Sequence, residues 1–141
     1  MARKKTAPRD ATRRGALDAF SAAQAEVARF RDARDWSRFH TPRHLAAAIA
    51  IEAAELQERF LWKTDDEVAA DLAPGAKRDA VVEEVADVIL FALLLADRLG
   101  IDIGTALTEK LAVNARKYPV ALARGSARKY TELRGGSSQR S

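Results

Sequence analysis

Apolar residues along the chain recur every three or four positions, and no stretch alternates convincingly with period two. The pattern predicts an all-α protein. A first helix runs from about Ala16 to Arg34, with Leu17, Phe20, Ala23 or Gln24, Val27 and Phe30 or Arg31 tracing its apolar stripe. Asp35 to His40 reads as a loop. Thr41 is a good side-chain N-cap, and Pro42 falls at the first helical position, where its missing N–H costs nothing. The second helix then continues to about Leu61. A short helix over about Asp66 to Leu72 is broken by Pro74-Gly75. A third long helix spans about Lys77 to Leu99, and Gly100 supplies its left-handed stop. Asp102 caps a last helix from about Ile103 to Lys117, ended by Tyr118-Pro119. Four long helices on short connections predict a four-helix-bundle-like antiparallel domain over residues 16–125. Residues 1–15 and 126–141 read as tails, the second ending in Gly135-Gly136-Ser137-Ser138 and expected to be disordered. The stretch Ala46-Ala47-Ala48-Ile49-Ala50-Ile51 lets the second helix approach a neighbour closely.

Composition narrows the function classes. The chain has 141 residues and 15.4 kDa, one domain by length. It has no cysteine, which excludes a disulfide framework, a thiolate zinc site and a cysteine nucleophile. The longest nearly apolar run, Val85 to Ala96, is interrupted by Asp87 and too short to span a bilayer, so no membrane partner is expected. Met1-Ala2-Arg3-Lys4-Lys5 leads into no apolar region, so no secretory signal is expected and the cytoplasm is the expected compartment. The net charge of +4 conceals a division: residues 1–15 carry +5, residues 124–141 carry +4, and the body between them carries −5. An acidic body argues against a nucleic-acid groove.

Within that body two acidic pairs sit where core residues are expected. Seven apolar residues, Leu45 to Ile51, precede Glu52, and Glu55 follows at i+3 on the same helical face. In the third long helix Glu84 and Asp87 have the same spacing, inside a run that is apolar nearly all round and so expected at the centre of the bundle. A carboxylate in a dry interior is costly unless protonated, paired or bound to a cation. Arg59 lies within i+4 reach of Glu55, and nothing basic lies between Arg78 and Arg98. If the two helices face each other, four carboxylates converge, and a hard divalent cation such as Mg²⁺ answers their repulsion. A single E-x-x-E is commonly just a solvated face; two pairs in apolar surroundings are less easily dismissed. A ferritin-like di-iron site needs Glu-x-x-His on two helices, absent here. His40 and His44 are four apart, but His40 precedes the N-cap, which disfavours a zinc site.

Trp36 and Trp62 lie at loop–helix junctions, where tryptophan either caps a core or offers a face to a nucleobase. Lys110, Asn114 and Lys117 share one face of the last helix, either as a solvated edge or as a grip on phosphates.

Taken together, Trp36-x-x-Phe39-His40-x-Pro42-Arg43, Glu52-x-x-Glu55, Leu61-Trp62-Lys63, Glu83-Glu84-x-x-Asp87-Val88 and Asn114-x-x-Lys117-Tyr118-Pro119 resemble the all-α MazG-type nucleoside triphosphate pyrophosphohydrolases. Ala121-Leu122-Ala123-Arg124 and Arg128 to Leu133 add to a likeness with the dCTP pyrophosphatase branch, over about Phe30 to Leu133. The resemblance implies Mg²⁺ bound by Glu52, Glu55, Glu84 and Asp87. It implies a nucleotide held by Trp36, His40 and Trp62, with phosphate contacts from Lys110, Asn114 and Lys117, and a homo-oligomer, a tetramer by the resemblance, with a dimer as the alternative. Phe91 is a further candidate wall for the base. The implied reaction is hydrolysis of dCTP or a modified dCTP to monophosphate and pyrophosphate, as nucleotide-pool housekeeping. Three positions depart from the branch: Val27 replaces a His, His44 an Asn and Phe91 a Tyr, which bears on base selectivity. Two other classes remain: a non-catalytic helical nucleotide-binding or interaction module, and a nucleic-acid-associated protein working through its basic ends.

Overall fold

The computed structural model describes residues 9–135, all of its regular elements being helices. Helix α1 spans Arg9–Asp32, α2 Pro42–Glu58, α3 Asp65–Asp71, α4 Ala76–Arg98 and α5 Ile103–Lys117; two short helices follow, α6 Val120–Ala123 and α7 Tyr130–Gly135. Helix α4 is the hub. It packs on α2 and on α1, and α1 packs in turn on α5.

Local chemistry explains most of the boundaries. The Thr41 side chain accepts from the His44 N–H, and Pro42 opens α2. Asp102 caps α5 by accepting from the Thr105 N–H at 2.7 Å. Helix α3 begins at Asp65 because Thr64 and Glu67 form a reciprocal capping box, each side chain accepting from the other's backbone N–H. Asp71, at the end of α3, accepts from Lys63 at 2.9 Å and Lys77 at 2.5 Å and so ties the end of α2 to the start of α4.

Helical structure extends into both stretches read as tails. Helix α1 begins at Arg9, ahead of the apolar stripe, because lengthening an existing helix through Ala, Arg and Asp is far cheaper than nucleating one. At the other end, α7 falls where disorder is expected. The Tyr130 ring meets Tyr118 edge-on at 6.1 Å, and the Lys117 ammonium lies 5.2 Å from the Tyr130 centroid. These aromatic contacts anchor a segment whose Gly/Ser composition starts only at Gly135.

The core is built on Leu45 of α2 and Leu93, Leu94 and Ala96 of α4. Helix α4 is not buried all round: Val82, Val85 and Ile89 form an exposed stripe at i, i+3 and i+7. The inner face of α1 is phased by Arg31, which is 7% exposed, while Phe30 lies outside. Arg31 Nε donates to Asp32 at 2.7 Å and Nη1 to Asp97 of α4 at 2.6 Å. Where α1 meets α5, Gly104 is required by the approach: a Cβ there would lie 2.6 Å from Ser21 Oγ and 2.7 Å from the Leu17 carbonyl oxygen. No helix among the described residues is long and apolar enough to cross a membrane.

Candidate metal centre

The face of α2 that buries Leu45 carries Glu52 seven residues later, two turns on, and aims it at α4. Glu55 stands one turn further along the same face. Glu84 comes from the opposing face of α4. One carboxylate oxygen from each of Glu52, Glu55 and Glu84 lies within 4.8 Å of the other two. Glu55 is exposed, Glu52 half-buried, and Glu84 is 6% exposed. Asp87 stands outside this cluster, one turn along α4 from Glu84 and half-buried. Its charge is still felt: desolvation first, then Glu55, Asp87 and Glu84, hold the Glu52 carboxyl above the usual carboxylate range.

Three like charges at this separation repel, and the donors are all carboxylate oxygens. That set fits a hard divalent cation of the Mg²⁺ type, and it gives softer metals no nitrogen or sulfur. His40 and His44 supply no such alternative. The His44 ring nitrogen Nδ1 contacts the Phe39 carbonyl at 3.2 Å, and His40 Nδ1 is buried without a partner.

Arg59 is the residue whose role sequence spacing misplaces. It does not serve Glu55 along the helix. Its Nε and Nη2 both donate across to Glu84 Oε1, at 3.2 and 2.5 Å. The bond to Glu84 holds the guanidinium still more firmly protonated. A seven-residue spacing, Leu45–Glu52–Arg59, was the available signal, since it puts Arg59 on the face that meets α4.

The aromatic candidates divide between the two ends of α2. Trp36 and His40 are neighbours before its N-terminus, with ring centroids 6.3 Å apart, and Phe30 meets Trp36 edge-on at 6.0 Å. Burial and the nearby Arg31 charge lower the His40 pKa. Trp62 lies past the other end. It is 94% exposed and has φ 61°, a left-handed conformation that costs a tryptophan roughly 1–2 kcal/mol. A helix of 17 residues lies between these groups, about 25 Å at 1.5 Å per residue. Phe91 is half-buried on α4, two turns from Glu84 on the same face. Lys110, Asn114 and Lys117 belong to α5, which packs along α1 rather than α2. Lys117 is engaged with Tyr130, and the Asn114 carbonyl accepts from the Tyr118 N–H at 2.8 Å.

Among the described residues the regular elements are all helices, and the carboxylates gathered between α2 and α4 could hold a hard cation. Residues 47–133 match the MazG-like family, and the chain belongs to that family. It is 44% identical over 110 residues to human (Homo sapiens) dCTP pyrophosphatase 1, an alignment covering 78% of this chain and 65% of that protein. The mouse (Mus musculus) protein of the same name is 43% identical with the same coverage. The chain thus spans just under two thirds of the length of these curated relatives. The crystal structure of a pyrophosphatase from Archaeoglobus fulgidus is 41% identical, with a TM-score of 0.61, covering 67% of this chain and 87% of that one. The family match takes in all four acidic residues and Trp62, whereas Trp36 and His40 precede it.

Proposed function

We propose that the protein hydrolyses deoxynucleoside triphosphates, dCTP or a modified dCTP, to the monophosphate and pyrophosphate in a Mg²⁺-dependent reaction. The observation that carries this reading is the convergence of Glu52, Glu55 and Glu84 oxygens within 4.8 Å of one another. The likeness to dCTP pyrophosphatase 1 supports the substrate class.

In this mechanism Glu52, Glu55 and Glu84, with Asp87 beside them, would hold Mg²⁺, whose chemistry there would be charge neutralisation of the triphosphate and a lowered pKa for water. Glu55, the exposed member of the cluster, would orient the attacking water and accept its proton. Glu84, buried on α4, would anchor the cation against that helix. Catalysis is then positioning and charge neutralisation, with no covalent enzyme intermediate. The base stacks on an indole face. Because Trp36 and His40 stand about a helix length from Trp62, one bound nucleotide cannot use both ends of α2 in the same protomer. A homo-oligomer in which Trp62 serves a neighbouring protomer's site resolves this, and the exposed Val82, Val85 and Ile89 stripe supplies apolar surface for it. Lys110, Asn114 and Lys117 contribute phosphate contacts only within such an assembly. The reaction belongs to housekeeping of the cytoplasmic nucleotide pool.

The test is a panel of dNTPs with Mg²⁺ and product identification by ³¹P NMR. Pyrophosphate and a monophosphate are expected, with dCTP preferred. Orthophosphate as the sole product would exclude cleavage between the α and β phosphates.

A further inference from the structure

We infer that Arg59 is a resident counter-cation that holds Glu84 in the metal-free site and surrenders it to a divalent cation, so that this one residue sets how tightly the site takes metal. The inference rests on the reading of Glu52, Glu55 and Glu84 as metal-holding carboxylates.

Glu84 is the buried acid of the described residues, and a buried carboxylate without a positive partner is expensive. Its acidic neighbours across the interface, Glu52 and Glu55, make matters worse rather than better. Arg59 supplies the missing charge, and it does so at one atom: both donors fall on Glu84 Oε1. An oxygen already bound by two N–H groups is a poor ligand for a metal, and a guanidinium beside a divalent cation repels it. Metal entry therefore requires Arg59 to loosen or leave.

The geometry allows this. Arg59 is the C-cap residue of α2, beyond its last helical turn, and its side chain is 45% exposed. It can swing into water without unpacking the bundle. The other interhelical arginine, Arg31, has a side chain only 9% exposed and is held by two different carboxylates. Arg59 is built to be exchanged and Arg31 to stay.

The experiment uses the full chain with Mn²⁺ or Mg²⁺ alone, without nucleotide. Metal affinity is measured by calorimetry for wild type, Arg59→Met, Arg59→Lys and Glu84→Gln. In parallel, the Arg59 Nε–H resonance of the wild type is followed by NMR during a Mg²⁺ titration. Arg59→Met is expected to bind Mn²⁺ about tenfold more tightly than wild type, with Arg59→Lys between them. Its unfolding midpoint in EDTA should be lower than wild type, and the gap should close on adding Mn²⁺. The Nε–H signal should lose its protection from exchange as Mg²⁺ saturates. The NMR arm reads the wild type, so the inference stays testable even where Arg59→Met fails to fold. Equal or weaker binding by Arg59→Met, or a Nε–H signal unchanged at saturating Mg²⁺, would overturn the exchange while leaving the metal site standing. Absence of metal binding in wild type and Glu84→Gln alike would overturn both.

Discussion

Two charges are buried among the described residues, and they are managed in opposite ways. Arg31 on α1 is 7% exposed and meets two carboxylates, Asp32 and Asp97, at 2.7 and 2.6 Å. Its charge is balanced by fixed partners, and the pairing raises the guanidinium pKa further, Asp32 contributing most. Glu84 on α4 is 6% exposed and has one basic partner, Arg59, while two more acids crowd it. Balance of the first kind joins helices. Imbalance of the second kind is what the proposed divalent cation would relieve. Burial is nearly the same for both charges; the sign of their neighbours is what differs.

The sharpest way to break that comparison is to neutralise each charge in turn. Glu84→Gln should lower turnover by at least about 100-fold while the chain still folds, measured as steady-state pyrophosphate release. A variant that turns over like wild type would remove Glu84 from the site. Asp87→Asn, one turn outside the cluster, should cost less, about 10-fold, in the same assay. Arg31→Met should do the reverse, leaving turnover per folded molecule unchanged and lowering stability by about 2 kcal/mol in urea titrations. That is below the roughly 3–5 kcal/mol for a fully buried pair, because Asp32 and Asp97 keep contact with water.

Smaller effects refine the picture at the aromatic end. Trp36→Ala should raise KM by about tenfold with kcat little changed, since one stacked base contributes about 1–3 kcal/mol. The His40 pKa is lowered, by burial first and then by Arg31. The unfolded chain therefore takes up this proton first as pH falls through 6.5, so stability declines from there towards the lower folded-state pKa. His40→Gln should flatten that limb of the stability curve, and a ¹H NMR titration should place the folded His40 midpoint below 6.5.

Much of the fold was legible because its punctuation is local. Thr41-Pro42, Asp102 and Tyr118-Pro119 are side-chain caps and backbone stops, and they set the start of α2 and both ends of α5, whereas α2 ends at Glu58 rather than at about Leu61. The Glu52–Glu55 and Glu84 positions were legible for a related reason: charges inside apolar runs are conspicuous along one dimension. What was not legible is what depends on helix phase and on partners distant in sequence. Phe30 and Arg31 compete for the inner face of α1, and only Asp97, 66 residues away, decides for Arg31. Arg59 is four residues from Glu55 but pairs with Glu84, 25 residues away, because α2 and α4 run face to face. Asp87 has the spacing of a ligand, yet its oxygens fall outside the 4.8 Å grouping of Glu52, Glu55 and Glu84, while its charge still reaches Glu52. The distance from Trp36 to Trp62 is likewise a property of the straight helix between them.

The most direct measurement is an anomalous-difference map from crystals soaked in Mn²⁺. A peak between α2 and α4, in contact with carboxylate oxygens of Glu52, Glu55 and Glu84, is the expected result. A well-ordered site with no peak there, at Mn²⁺ concentrations that support turnover, would contradict it.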